Sequence, residues 1–260
     1  MKSEIILGVI FSEGFENVIV VSLLFTTYSL HAKFICLSFI LTLYICRMKK
    51  NNEIALKTAE YLLQIKAIKL NLQKPFTWAS GWKSPIYCDN RKTLSYPKIR
   101  TYIRQQFVDM IHDEFGIPEV IAGVATGAIA QGALVAQDMG LPFVYVRSAP
   151  KDHGLTNLIE GVIEKGQSVV VIEDLISTGS SSLKAVEALR EAGCDVKGMA
   201  AIFTYGFPKA EENFTKAKCK LITLSDYSSL LQQACNSNFI NDSDMERLAS
   251  WREAPEKWGV

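Results

Sequence analysis

An excess of either charge is the first thing missing: 28 Lys+Arg stand against 27 Asp+Glu over 260 residues. A near-neutral chain lacks the basic footprint that a phosphate backbone needs, so no nucleic acid is expected as a partner. Metal and disulfide patterns are missing too. Cys36, Cys46, Cys88, Cys194, Cys219 and Cys235 stand singly, with no C-x-x-C pair and no histidine at ligand spacing. That argues against a structural zinc site and for reduced thiols. Neither a G-x-G-x-x-G run nor a G-x-x-x-x-G-K-[ST] run occurs, which excludes a dinucleotide fingerprint and a P-loop. Internal repeats and low-complexity linkers are absent. Disorder is excluded for most of the chain, because 48% of its residues are hydrophobic.

The mean hydropathy of +0.13 is high for a chain with 21% charged residues, and the excess sits at the front. Between Val18 and Cys46, 21 of 29 residues are apolar. Lys33 separates two runs, each shorter than the roughly 20 residues that a bilayer requires. Read as one span, the segment would hold a lysine near mid-bilayer, at a cost of about 2.5–3.5 kcal/mol. Glu4, Glu13 and Glu16 precede it, so there is no basic region of a secretory signal. Met48-Lys-Lys-Asn-Asn-Glu53 reads as the start of a cytosolic protein. Residues 1–47 are therefore expected to be a hydrophobic extension from an upstream start site, ahead of the rival reading as a membrane anchor. The expected location is the cytoplasm, with no membrane partner.

The body, residues 48–260, reads as one domain. Ile54, Leu56, Ala59, Leu62, Leu63 and Ile68 fall at helical spacing and predict an amphipathic helix over Asn52–Leu70. A loop-rich stretch from Pro75 to Pro97 and a second helix over Ile99–Phe115 follow. From there short apolar runs alternate with helical patterns. Strands are predicted at Val120–Val124, Phe143–Val146, Ser168–Ile172, Val196–Phe203 and Leu221–Leu224. Helices are predicted at 127–139, 181–192, 226–236 and 242–251, and a polar loop at 147–160. This alternation predicts an α/β fold: a doubly wound, mostly parallel sheet with helices on both faces. Residues 51–98 form a small N-terminal hood subdomain.

Ligands of such sheets bind beyond the carboxyl ends of strands. Val169-Val-Val-Ile-Glu-Asp-Leu-Ile-Ser-Thr-Gly-Ser-Ser181 drives a β-branched strand through the core and ends in Glu173 and Asp174. A hydroxyl-rich turn, Ser177, Thr178, Gly179, Ser180 and Ser181, then opens a helix. Hydroxyls, free N–H groups and the helix dipole make an anion site suited to a phosphate monoester. Paired carboxylates beside it suit ribose hydroxyls. Acids at a strand end and hydroxyls at a helix cap are individually ordinary; their order over 13 residues is not.

This segment resembles the phosphoribosyl pyrophosphate (PRPP) motif of type I phosphoribosyltransferases. Two others narrow the resemblance to orotate phosphoribosyltransferases. Ser80-Gly-Trp-Lys-Ser-Pro-Ile-Tyr-Cys-Asp-Asn-Arg91 is similar to that family's hood segment, and Arg147-Ser-Ala-Pro-Lys-Asp-His-Gly154 to its lid loop. The resemblance covers the body from about Glu53 onward. It implies transfer of the phosphoribosyl group from PRPP to orotate, giving orotidine 5′-monophosphate and pyrophosphate in pyrimidine biosynthesis. It implies Mg²⁺ held mainly by PRPP, with no protein metal site. It also implies a homodimer whose lid loop is shared across the interface.

Residue by residue, the resemblance assigns Lys151, His153 and Asp174 to catalysis. It assigns Arg147, Lys151, His153, Glu173, Asp174, Leu175, Ile176, Ser177, Thr178, Gly179, Ser180 and Ser181 to PRPP. The turn over 123–128 would face pyrophosphate. Three positions depart from the family: Ala79 and Ser148 where basic residues are common, and Thr204-Tyr-Gly-Phe-Pro208 where many members carry an orotate-binding arginine. Ser177 and hood N–H groups are expected to hold orotate instead. The alternatives are a phosphoribosyltransferase for another base, a non-catalytic PRPP-binding regulator, and a membrane-tethered scaffold.

Overall fold

The computed structural model describes residues 30–78, 81–149 and 158–258. It divides into two units, Met1–Lys50 and Asn51–Val260. In the first, the described part belongs to helix α1 (Leu30–Gln64), whose Leu41, Leu43, Ile45 and Met48 are exposed. Residues 18–29 of the apolar front segment lie outside the described residues. Among the described residues no helix is long and apolar enough to cross a membrane.

In the second unit, Ala59, Leu62 and Leu63 of α1 are buried at helical spacing. The helix stops at Gln64, earlier than the spacing predicts. Lys66 adopts a left-handed φ of 54°, and Ile68–Leu70 becomes strand β1. Ile65, Ala67 and Ile68 are all buried, so apolar content runs through the break and hides it. Strands β2 (Phe76–Thr77) and β3 (Lys83–Ser84) form one hairpin, and β4 (Ile86–Cys88) pairs antiparallel with β1. A 3₁₀ turn over Asn90–Ser95 leads into α2 (Pro97–Phe115), which Pro97 opens. Ile99, Ile103, Phe107 and Ile111 form its buried stripe.

The sheet then builds in order: β5 (Val120–Val124), α3 (Ile129–Met139), β6 (Phe143–Val146), β7 (Ile159–Glu160), β8 (Ser168–Ile176), α4 (Ser180–Glu191), β9 (Asp195–Thr204), α5 (Pro208–Lys216), β10 (Leu221–Asp226), α6 (Tyr227–Asn236) and α7 (Asp242–Glu253). Its spatial order is β10-β9-β8-β5-β6-β7. All neighbours are parallel except β6 with β7. The doubly wound expectation holds, and its reason lies in the residues. Ile121, Val170 and Ile172 pack with α1, α2, α3, α6 and α7 in one core. Val120, Ala122, Val169 and Val171 pack with α4 and α5 in the other. Alternate side chains of each central strand are buried on opposite faces, so the strand sequence is apolar throughout.

Three differences bear on the site. β8 continues to Ile176, so Glu173 and Asp174 lie within the strand rather than beyond it. β7 occupies the end of the predicted polar loop. Helix α5 has no counterpart among the predicted helices, because its exposed face is densely charged and only Ala210 and Phe214 are buried.

Candidate functional site

β5 leads through α3 to β6 on one side, while β8 lies on the other. The order in which strands are added reverses between β5 and β8, which remain parallel, and such a switch point opens a crevice at the strand ends. A cleft of about 560 Å³ opens there, lined from the turn after β5, the end of β6, strand β8, helix α4 and the hood. Its size suits a small metabolite.

Asp174 faces this cleft across Gly127. A Cβ built on Gly127 would run into the Asp174 carboxylate, so glycine is what lets the carboxylate sit against this stretch of backbone. Glu173 borders the cleft as well but is turned inward, only 6% exposed. Its Oε2 accepts from Ser182 Oγ at 2.7 Å and its Oε1 from the Asp174 N–H at 2.9 Å. Burial first, and the neighbouring Asp174 charge second, push the Glu173 carboxyl up to about 8. The two acids, equivalent in sequence, are unlike in place: one meets the cleft, the other anchors α4.

The turn between β8 and α4 is held from below. Gly179 caps α4 at φ 76°, with Phe214 of α5 against it. Asn213 Nδ2 donates to the Thr178 carbonyl at 2.8 Å. Thr178 Oγ1 and Ser180 Oγ lie 3.3 Å apart. Ser181 and Leu175 line the cleft directly, whereas Ser177, Thr178, Gly179 and Ser180 adjoin it without lining it. The Ile176 side chain is wholly buried in the α4–α5 core, and its carbonyl accepts from the Tyr205 N–H at 3.1 Å.

Two described arginines reach the cleft, and each faces an acid. Arg147 Nη1 lies 3.5 Å from Glu160 Oε1. Arg91 Nε contacts Asp89 Oδ1 at 2.7 Å, which holds the Asp89 carboxyl below its usual range. Lys184, one turn into α4, also lines the cleft. Lys151, His153 and Ala79 lie outside the described residues. Sequence reasoning missed Lys184, Asp89 and Arg91 as lining residues. The last two lay inside the hood motif; Lys184 carried no signal beyond its helical spacing from Ser181.

On the hood side, Cys88 lines the cleft, and burial pushes its thiol well up. Behind it, the segment after β9 that lacks the family's arginine is aromatic and buried. Tyr205 and Phe207 stack at 5.4 Å, and Trp78 lies 5.0 Å from Tyr205. Trp251 of α7 closes the group, 5.7 Å from Trp78 and 5.3 Å from Tyr227. Apolar stacking fixes this segment.

Comparisons with known proteins agree with this geometry. A phosphoribosyl transferase domain matches residues 94–235. The orotate phosphoribosyltransferase of Porphyromonas gingivalis is 60% identical over 202 residues, 78% of this chain and 96% of that protein. That of Listeria monocytogenes is 55% identical, over 78% of this chain and 97% of that protein. The crystal structure of orotate phosphoribosyltransferase from Aeropyrum pernix superposes with a TM-score of 0.61 at 27% identity, covering 67% of this chain and 96% of that one.

Proposed function

This chain belongs to the orotate phosphoribosyltransferases, and from that premise we propose that it joins orotate to PRPP, giving orotidine 5′-monophosphate and pyrophosphate for pyrimidine biosynthesis. The observation that carries the reading is the pairing, at one switch-point cleft, of the cleft-facing Asp174 with Ser181, where the hydroxyl-rich turn opens α4.

A bond from the base nitrogen to ribose C1 forms as the C1–O bond to pyrophosphate breaks, and the proton of that nitrogen passes to the departing pyrophosphate or to water. Positive charge grows on the ribose and negative charge on the leaving group. Asp174 lies along the ribose hydroxyls and favours the cationic ring, while the N–H groups and hydroxyls of 177–181 hold the 5′-phosphate. Arg147 exchanges Glu160 for pyrophosphate oxygens. Lys151 and His153 complete the pyrophosphate site from a lid loop that crosses to the neighbouring subunit of a homodimer. Ser177 and hood N–H groups hold the orotate carboxylate.

Among the described residues no group of three or more His, Cys, Asp or Glu side chains could hold a metal ion. One or two carboxylates with substrate phosphates is nevertheless a donor set that suits Mg²⁺. Asp174 and Asp89 line the cleft singly and fit that role. When bound, mainly through PRPP's own oxygens, Mg²⁺ offsets the charge of the leaving pyrophosphate. The proposed location is the cytoplasm.

The test is an ultraviolet assay of base consumption with PRPP and Mg²⁺, offering orotate, uracil, adenine and hypoxanthine in turn. Orotate alone is expected to be consumed. A folded protein that leaves orotate untouched overturns the reading.

A further inference from the structure

We propose that Asn90 is a positioning residue for Asp174, a role that rests on Asp174 facing the substrate as described above. The last register pair between β5 and β8 is Gly123 with Ile172. β8 runs on to Ile176, and over 173–176 it no longer has β5 beside it. There the backbone of Asp174 is met by side chains. Its N–H donates to Glu173 Oε1 at 2.9 Å, and its carbonyl accepts from Asn90 Nδ2 at 2.6 Å.

Asn90 is itself fixed. It is 1% exposed, and its Oδ1 accepts from the Cys88 thiol at 3.2 Å. Its carbonyl accepts from Thr93 Oγ1 at 2.6 Å, and Thr93 Oγ1 in turn accepts from Gln131 Nε2 at 3.4 Å. Turning the amide over would set Oδ1 against the Asp174 carbonyl and lose both bonds at once, so one orientation is enforced. Asn90 and Thr93 are each bonded on two sides, which holds this part of the network rigid, while the Gln131 Oε1 at its end has no partner among the described residues. The network ties the hood to the strand across 84 residues of sequence.

The consequence is geometric. The Asp174 carboxylate sits tight against Gly127, so a tilt of its peptide unit moves the carboxylate relative to the ribose. A shift of about 1 Å at a reacting centre costs on the order of 100-fold in rate. Asn90 sets that tilt without touching substrate.

Two variants separate this role from general stability. Asn90→Ala removes the amide and leaves a space in its place. Asn90→Leu removes the amide but fills most of that space. Both are expected to lower kcat about 10- to 100-fold with the KM for PRPP moving less than about threefold. A kcat within about twofold of the unsubstituted value in both variants overturns the proposal, as does loss confined to KM. If the unsubstituted chain consumes no orotate, the functional reading fails separately. Hydrogen exchange over residues 170–178 then decides the clamp: faster exchange in Asn90→Leu supports it, and unchanged exchange overturns it.

Discussion

Ser182 Oγ donates to Glu173 Oε2 at 2.7 Å, a buried bond between the start of α4 and the strand that carries Asp174. The carboxyl it meets is pushed up to about 8. The folded protein therefore holds a proton that the unfolded chain releases near pH 4.5. Stability from this group is complete below the unfolded value and is lost as pH rises through about 8. Glu173→Gln removes the titration, so melting temperatures at several pH values should fall less steeply across that window than in the unsubstituted protein. An unchanged slope would refute the assignment.

Gly127→Ala should disable the site while sparing the fold. The added methyl meets the Asp174 carboxylate rather than a core side chain. Turnover is expected to drop at least about tenfold, on the scale of a small misplacement at the reacting centre. The melting temperature should shift little. Steady-state kinetics beside a thermal melt would check both.

Gly179→Ala acts on the phosphate turn. The position has φ 76°, and a Cβ there would meet Phe214 Cε2 at 2.5 Å. The backbone conformation alone costs about 1–2 kcal/mol for a residue with a Cβ. Asn213→Ala releases the same turn by removing its bond to the Thr178 carbonyl. Both variants should raise the KM for PRPP, and isothermal titration with PRPP would show it. Normal affinity in both would mean that α5 does not support the turn.

Trp251 is fully buried and touches four other aromatic rings, including Trp78 of the hood and Tyr205 after β9. Trp251→Ala should destabilise by about 3–5 kcal/mol, as a large cavity in a packed core does. Trp251→Phe, which keeps most of the stacking, should lose much less. Urea unfolding of the two variants separates them, and equal losses would contradict a packing role.

Where the residues themselves impose a pattern, they sufficed. Two-sided burial makes Val169–Ile172 apolar at every position, and Val120–Val124 is apolar apart from Gly123, which announced parallel central strands. The order of strand, acids and hydroxyl turn over 169–181 announced a strand that runs through a tight turn into a helix start. Local spacing cannot show where a strand loses its neighbour. It therefore placed Glu173 and Asp174 beyond β8 and did not reveal that they face different surroundings. Nor can spacing bring together Asn90 and Asp174, or Trp78, Tyr205 and Trp251, because their contacts exist only after the hood folds over the sheet. The sequence by itself determined the fold class and the chemistry on offer, since both follow from periodicity and residue type. Only tertiary structure decided which carboxylate is open to the cleft and which is buried against α4. That depends on how far β5 runs beside β8, on the glycine that admits Asp174 to the cleft, and on the buried amide that holds its backbone.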